Sequence, residues 1–345
     1  MITKLKVYNS FNSIPNNETI EDKIPIFASQ KYADFIRETK NYHAIWIEAK
    51  EDGTHYIIPF AVMKKGPFKK GMFLTSVNSL GNVNTIKSEK EFLNEIVVYI
   101  KTNKLCDWIQ QPPNWAIFNT YPDCSIYVPF GTYRIDLEYS SDEQLLKEMH
   151  KSCRRAVRKA TKRGVIIQRG KKYLIKVYHI ISEAQKLMNL ETKSYNYYKL
   201  LLDIFPNNLS VSIAFQNGNH QTGGISLYNK YSAYALESGM VGRNRDGAGN
   251  LLDWDSILYF KSIGVKYYDF VGARINPTPG SKQEGLQLYK RHFGSKMKQG
   301  FLWKMVFNKQ KYNIFIIYRK IMNLLKGRNN KGDIIDQERN RKKIK

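Results

Sequence analysis

Three strand-like runs follow one another between residues 209 and 239: LSVSIAF, TGGISLYN and YSAYALESG. Asn217-Gly218 separates the first two. An Asn-Gly pair between such runs favours a tight hairpin, because both residues accept the positive φ that the turn requires. The spacing predicts an antiparallel meander. A glycine-containing loop, GRNRDGAGN, then leads into a helical pattern, LLDWDSILYFKSIG. A strand (VKYYDFVGA), a Pro/Gly/Ser loop (INPTPGSKQEG), a helix (LQLYKRHFG) and a strand (KMKQGFLWKMVF) complete the region. Two amphipathic helices are predicted ahead of the meander, one carrying Leu174, Val177, Ile181, Ala184 and Met188, the other ending at Pro206. Alternation of this kind specifies an α/β or α+β lobe.

The first half has the same flavour. Residues 30–39 predict a short helix, and HAIWIEA and HYIIPFAVM predict strands joined at Asp52-Gly53. Residues 88–102 place Phe92, Ile96, Val97 and Ile100 on one helical face, with Ser88 and Glu91 spaced as a capping box. GMFLTSV, CDWIQQ, CSIYVPF and TYRIDLEY add strands. Both halves set hairpins before a helix and finish on strands, as a diverged duplication would, although no residue-level repeat links them.

Ser140 and Glu143 again fit a capping box, followed by Leu145, Met149, Cys153, Ala156, Val157 and Ala160 at helical steps, with Gly164 as the stop. The other face of this helix carries Lys151, Arg154, Arg155, Arg158, Lys159, Lys162 and Arg163. The expected organisation is a lobe over 1–139, a second over 140–308, a basic amphipathic helix over 309–327 and a disordered basic tail over 328–345. Lys plus Arg exceed Asp plus Glu by 55 − 30 = 25. Such an excess attracts polyanions: RNA, pyrophosphate-bearing substrates or an anionic membrane. It equally describes a solvated basic surface. Three scattered cysteines, Cys106, Cys124 and Cys153, argue against a disulfide framework or a structural zinc. No signal-like or membrane-spanning run is present in the sequence, so a cytoplasmic setting, peripheral to the membrane at most, is expected.

Residues 251–294, LLDWDSILYFKSIGVKYYDFVGA…GLQLYKRHFG, resemble the signature of the Fem-type peptidoglycan-bridge aminoacyltransferases and their GNAT relatives. The family's pattern is a helix LLxWxxIxxxKxxG, a strand ending YDFxGx, and a short helix with a Tyr/Phe-Lys pair and a terminal Phe-Gly. Upstream, YRIDLEYSSDEQLLKEMHKSCRRAVRKATKRGV resembles the family's entry to its second lobe. The resemblance spans roughly residues 130–305 and is architectural before that. It implies two tandem GNAT-like lobes, each a mostly antiparallel mixed sheet flanked by helices. It implies transfer of an acyl or aminoacyl group to a primary amine, with acyl-CoA or aminoacyl-tRNA as co-substrate, no permanently bound cofactor and no metal. Two departures leave the donor open. The long helical hairpin of some members has no counterpart here, and the GNAT pyrophosphate loop is matched only by Asn244-Arg-Asp-Gly247-Ala-Gly249.

The candidate residues follow from the chemistry. Acyl transfer needs a neutral amine about 3–3.5 Å from an activated carbonyl, a proton acceptor and a stabilised oxyanion. Gly247 and Gly249 free backbone N–H groups for a donor phosphate, with Arg243 and Arg245 adding charge; without a ligand the loop is a flexible glycine turn. Asp269, at the end of its strand, either orients the acceptor and takes a proton or is a capped or ion-paired structural carboxylate. Lys290, preceded by Tyr289, matches the family's aromatic-Lys pair and would face a phosphate or oxyanion; read alone it is a solvated helix lysine. Glu237 lies where GNAT enzymes hold a base or acceptor-binding carboxylate, and is otherwise one more strand glutamate. His150, His179, His220 and His292 form no ligand set in the sequence.

The basic helix 151–163 serves either a tRNA backbone or a diphosphate-linked sugar lipid, or is merely solvated. The C-terminal helix, with Ile314, Ile317, Ile321 and Leu325 on one face, either lies on an anionic leaflet or packs on the first lobe. The leading reading is an acyltransferase acting on a nucleotide- or lipid-linked cell-envelope precursor, an amino sugar or a peptidoglycan peptide. The competing reading is a non-catalytic RNA- or membrane-surface-binding protein on the same fold.

Overall fold

The structure is a computed structural model and describes residues 5–51, 53–81, 85–242, 246–325 and 332–343. In chain order, β1 (Lys6–Tyr8), α1 (Asn17–Glu21) and α2 (Gln30–Lys40) precede β2 (His43–Glu51), β3 (Thr54–Lys65), β4 (Phe68–Phe73) and β5 (Asn78–Leu80). Next come α3 (Ile86–Thr102), β6 (Trp108–Ile109), β7 (Ile126–Asp136), α4 (Asp142–Glu148), α5 (Lys151–Lys162) and β8 (Ile166–Arg169). Helices α6 (Leu174–Leu187) and α7 (Tyr195–Ile204) lead to β9 (Leu209–Gln216), β10 (Asn219–Tyr228) and β11 (Ser232–Met240). The chain ends with α8 (Ala248–Ser262), β12 (Tyr267–Asp269), β13 (Ala273–Arg274), α9 (Lys282–Arg291), β14 (Lys296–Val306), α10 (Lys309–Leu325) and α11 (Ile334–Lys343).

The chain forms two compact units, residues 1–131 with 299–345, and residues 132–298. These divisions differ from the expected 139/140 and 308/309 because they fall inside strands, β7 and β14, and not at the helices that follow them.

In the first unit the strand order is β1-β2-β3-β4-β6-β14, with β5 beside β3. Only the β4–β6 pairing is parallel among those with a given register there. The β2–β3 hairpin runs to Glu51↔Thr54, with Gly53 at φ +75° as the Asp-Gly signal requires. Helix α3 buries Phe92, Ile96 and Ile100 in a core with Phe60, Phe118 and Trp303. Its cap is Thr85, whose Oγ1 accepts from Ser88 N–H at 3.0 Å, and not the predicted Ser88 box. The helix therefore begins a turn earlier than its apolar stripe suggests.

The expected disordered tail is in part a helix. Ile335 of α11 is fully buried against Ile117, Val128, Phe130 and Leu302, and its N–H donates to Gln111 at 3.0 Å. Lys304 anchors the start of that segment through Asp333 and Asp336. Two isoleucines among charged residues carry too little periodicity to announce this from sequence. Helix α10 packs through Phe315 onto Trp108, ring centroids 4.8 Å apart, while Ile314, Ile317 and Ile321 stay more than half exposed. No helix among the described residues is long and apolar enough to cross a membrane.

In the second unit the order is β7-β12-β11-β10-β9-β8, antiparallel except for β11–β12. The predicted meander is present as β9–β11. The single helix expected from Ser140 is two: the capping box is Ser141 with Gln144, and α4 ends at Met149. Met149 and His150 are extended, and the His150 N–H leaves the helix ladder to donate to the His292 carbonyl at 2.9 Å. Leu145, Met149, Cys153 and Val157 are nevertheless all buried, in a core with Tyr268, Phe260 and Phe293. Gly164, at φ +71°, follows the end of α5 as a left-handed stop.

Candidate active site

The parallel β11–β12 pairing opens the site. Its register runs from Ser232↔Tyr267 to Tyr234↔Asp269, where β12 ends while β11 continues to Met240. A β-bulge between Ile225 and Ser226 further disturbs the neighbouring β10–β11 ladder. Where paired strands part, side chains of both face space instead of each other. Here that space is a cleft of ≈ 600 Å³, open to solvent, whose polar lining includes Glu237, Asp253, Ser256, Tyr268, Tyr289 and Lys290.

Asp253 comes from α8 and is the carboxylate about which the cleft is organised. Tyr289 on α9 donates its hydroxyl to Asp253 Oδ2 at 2.6 Å, and Tyr268 on β12 approaches Oδ1 at 3.5 Å. Burial pushes the Asp253 carboxyl up to about 6, against the pull of the two phenols and of Lys290. An acid so placed is ionised at neutral pH yet basic enough to take a proton.

Lys290 follows Tyr289 on α9. Its ammonium donates to the Val271 and Gly272 carbonyls, each at 2.7 Å. Burial pulls it down to about 8, opposed by Asp269 and Asp253. Both carbonyls belong to a left-handed turn, Val271 at φ +51° and Gly272 at φ +67°. A β-branched residue in that region is strained by roughly 1–3 kcal/mol and persists only where its surroundings hold it. Here Asp269 accepts the Val271 N–H at 2.7 Å on one side, while Lys290 takes its carbonyl on the other. An ammonium carries three N–H donors. The two carbonyl bonds use two of them, so a third is left for a substrate oxygen.

The remaining expected residues are distributed otherwise. Asp269 is buried, takes the Thr132 hydroxyl and the Val271 N–H, and does not line the cleft. Burial raises its pKa, with Thr132 and Val271 opposing. The structure thus gives Asp269 a turn-holding position and not one facing an acceptor amine. Glu237 does line the cleft, and its carboxylate is occupied by Gln185 at 2.8 Å and by Lys193 and Tyr198. Arg243 and Arg245 lie outside the described residues. Gly247, at φ +77°, precedes the first turn of α8, where a Cβ would fall 2.3 Å from the Ala156 carbonyl oxygen. Its glycine is therefore required by the approach of α5 whether or not an anion binds. Gly249 is buried in that first turn. Asp246, just before the helix, pairs with Arg163 and Lys159, which places a carboxylate where a donor phosphate was expected.

On α5, Arg154 closes the end of α4 by donating to the Leu146, Lys147 and Met149 carbonyls. Lys151, Arg155, Arg158 and Lys162 are exposed. The sequence reading did not single out Asp253 or Tyr268. A signal was present: Asn250, Asp253 and Ser256 recur every three residues in a largely apolar helix, a polar stripe on one face. His150 and His292 stack with centroids 4.3 Å apart, away from the residues that line the cleft.

Two solved structures share the fold of this chain. The crystal structure of FemX matches at TM-score 0.67 with 14% identity, over 90% of this chain and 99% of that one. The C-terminal domain of a putative lysylphosphatidylglycerol synthetase from Agrobacterium fabrum matches at TM-score 0.51 with 11% identity, over 89% of this chain and 97% of that one. No curated protein matches in sequence. The fold is thus that of FemX, a mixed α/β architecture on mostly antiparallel sheet, as the resemblance implied. Residues 114–222 match the model of the FemAB family. Asp253, Tyr268, Tyr289 and Lys290 all lie beyond that matched segment.

Proposed function

We propose that the protein is an acyltransferase that moves an acyl or aminoacyl group from acyl-CoA or aminoacyl-tRNA to a primary amine of a cell-envelope precursor, an amino sugar or a peptidoglycan peptide. One observation carries the reading: a carboxylate poised near pKa 6 and an ammonium with a spare donor line one cleft. The FemAB family match and the FemX fold support the same reaction class.

In this reading the acceptor nitrogen attacks the donor carbonyl carbon, and the carbonyl electron pair moves onto oxygen. The third Lys290 N–H meets that oxyanion. Asp253 takes the nitrogen's proton directly or through one water. Collapse of the intermediate expels the thiolate or ribose oxygen, which takes up the proton held by Asp253, and forms the amide. The ester or thioester is already activated, so no covalent enzyme intermediate is required. Tyr289 and Tyr268 hold Asp253 in position. Asp269 acts through the Val271 turn as a positioning residue. The exposed lysines and arginines of α5 suit a polyanionic donor such as tRNA.

The test is a mass-spectrometric screen of the purified protein with acyl-CoA donors and charged tRNAs against amino-sugar and muropeptide acceptors. A mass increment equal to the acyl group, dependent on Lys290 and Asp253, is expected. Absence of product with every pairing, alongside steeply salt-sensitive binding of any RNA, would establish the non-catalytic reading instead.

A further inference from the structure

Helix α10 has two unlike faces. The inner one borders a solvent-open cleft of ≈ 700 Å³ within the unit formed by residues 1–131 and 299–345. Phe315 and Tyr312 pack there on Trp108 with ring centroids 4.8 and 5.6 Å away, and Arg319 shares the cleft lining with Lys70 of β4. Near its start the helix is tied down by Lys311, whose ammonium reaches Asp107 at 3.1 Å and the Pro67 carbonyl at 2.9 Å. The outer face carries Ile314, Ile317, Ile321 and Leu324, three or four residues apart and each more than half exposed, with Leu325 beside them. Side chains so spaced form one continuous ridge along a helix. Contiguous apolar surface left in water marks a place where something else docks.

Charge narrows the choice of partner. Helix α10 contains no Asp or Glu. Lys309 and Lys320 are exposed on it, and neither makes an ion pair among the described residues. The turn from β3 to β4 brings two more exposed lysines, Lys64 and Lys65, again without an ion pair among the described residues. That turn abuts the helix, since Phe68 packs on Phe315 with ring centroids 5.8 Å apart and Pro67 accepts from Lys311. A second copy of the chain would bring the same cations to the same ridge, where like charges repel. A nucleic acid would meet the lysines and leave the isoleucines in water. A surface with apolar depth and an anionic rim satisfies both.

We propose that α10 docks the protein on an anionic bilayer surface. The helix lies in the interfacial plane, its Ile314, Ile317, Ile321 and Leu324 ridge among the upper acyl chains and Lys64, Lys65, Lys309 and Lys320 at the level of the lipid phosphates. Lysine stems are long enough to keep each ammonium at the headgroups while the ridge sinks below them. The helix is not long and apolar enough to cross the bilayer, so the attachment is peripheral. Packing on its own unit and lying on a leaflet are therefore not alternatives, because each uses a different face. The docking stands apart from the transfer chemistry proposed for residues 132–298, and its test does not require turnover.

The full-length protein is co-sedimented with vesicles of phosphatidylcholine alone and with vesicles of phosphatidylcholine mixed with phosphatidylglycerol. Partition onto the mixed vesicles is expected to be at least ~10-fold stronger and to weaken as salt is raised. Ile317→Ser/Ile321→Ser should weaken it at least ~10-fold through lost apolar burial. Lys64→Gln/Lys65→Gln/Lys320→Gln should weaken it at least ~10-fold through lost attraction to the phosphates. Both variants should melt with the native chain in the absence of vesicles, since the altered side chains are exposed. No partition of the native chain onto the mixed vesicles would overturn the docking, as would equal partition onto phosphatidylcholine alone or native partition of Ile317→Ser/Ile321→Ser. A lower melting temperature of that double variant would show that the ridge packs within the chain and would overturn it too. So would a native dimer in sedimentation velocity that the double variant dissolves, because the ridge would then belong to a second copy.

Discussion

The two clefts treat buried charge in opposite ways. In residues 132–298, Asp253 and Lys290 carry opposite signs, each eases the other's ionisation, and the hydrogen bonds of both are largely made by the protein. In the other unit Lys70 and Arg319 share one sign, and the buried Arg319 Nε has no hydrogen-bond partner among the described residues. A self-neutralised cleft suits neutral reacting groups, such as an amine and an acyl carbonyl, whose charge appears only in the transition state. A cationic cleft suits a ligand that brings its own charge. Composition alone, an excess of 25 positive charges, hides this difference.

The comparison can be broken most forcefully at Lys290. Lys290→Ala removes both the oxyanion donor and the clamp on the Val271 turn, so turnover should fall about 100-fold, about 2.7 kcal/mol of transition-state stabilisation. Steady-state kinetics with saturating acceptor checks this, and native turnover would remove Lys290 from the chemistry.

Asp253→Asn should lower turnover at least ~10-fold while making the fold more stable at neutral pH, by roughly 1–3 kcal/mol. The sign follows from the raised carboxyl: the folded chain bears a cost for ionised Asp253 above about pH 6. That cost fades as pH falls toward the ordinary carboxylate value, because the folded state then binds its proton first. The stability gain of the variant should thus be full at pH 8 and nearly absent at pH 4 by urea denaturation. A variant less stable than native at pH 8 would show that the carboxylate is structural.

Lys70→Met sharpens the contrast from the other side, with an expected gain of about 1 kcal/mol at pH 7 after allowance for solvent screening. The native lysine's folded pKa is depressed to about 8. Its penalty is complete below that value and disappears as pH rises toward the unfolded value, so the variant's advantage should shrink between pH 8 and 10.5. Val271→Gly should have the smallest effect, a gain of at most ~1 kcal/mol by urea denaturation as the strained φ is relieved against glycine's greater unfolded-state entropy. A loss would show that the Val271 side chain contributes more by packing than its backbone costs.

The elements were largely legible in the sequence because their periodicities are strong. The β9–β11 meander and α8 stand close to where turn and helix signals put them, while α9 starts at Lys282 on its Ser281 cap, four residues before the expected Leu286, and ends at Arg291. The break at Met149–His150 was not legible, since the apolar steps continue through it and the His292 carbonyl that captures the His150 N–H lies far along the chain. Of the residues that line the cleft, the Tyr289-Lys290 pair is visible in the sequence as a motif. Asp253 was overlooked because a single acid in a helix is usually solvated, and only the fold shows that this one turns inward while Asp255 pairs with Arg169 on the surface. Asp269 misled for the converse reason. The end of a strand predicts nearness to a crevice but not which side of the following turn the carboxylate takes.

The most direct measurement is the pH dependence of acyl transfer in the native chain and in Asp253→Asn. Catalysis by this pair predicts a native profile that rises near pH 6 as Asp253 ionises and falls near pH 8 as Lys290 loses its proton, with the acidic limb missing in the variant. An unchanged acidic limb in Asp253→Asn, at native rates, would contradict it.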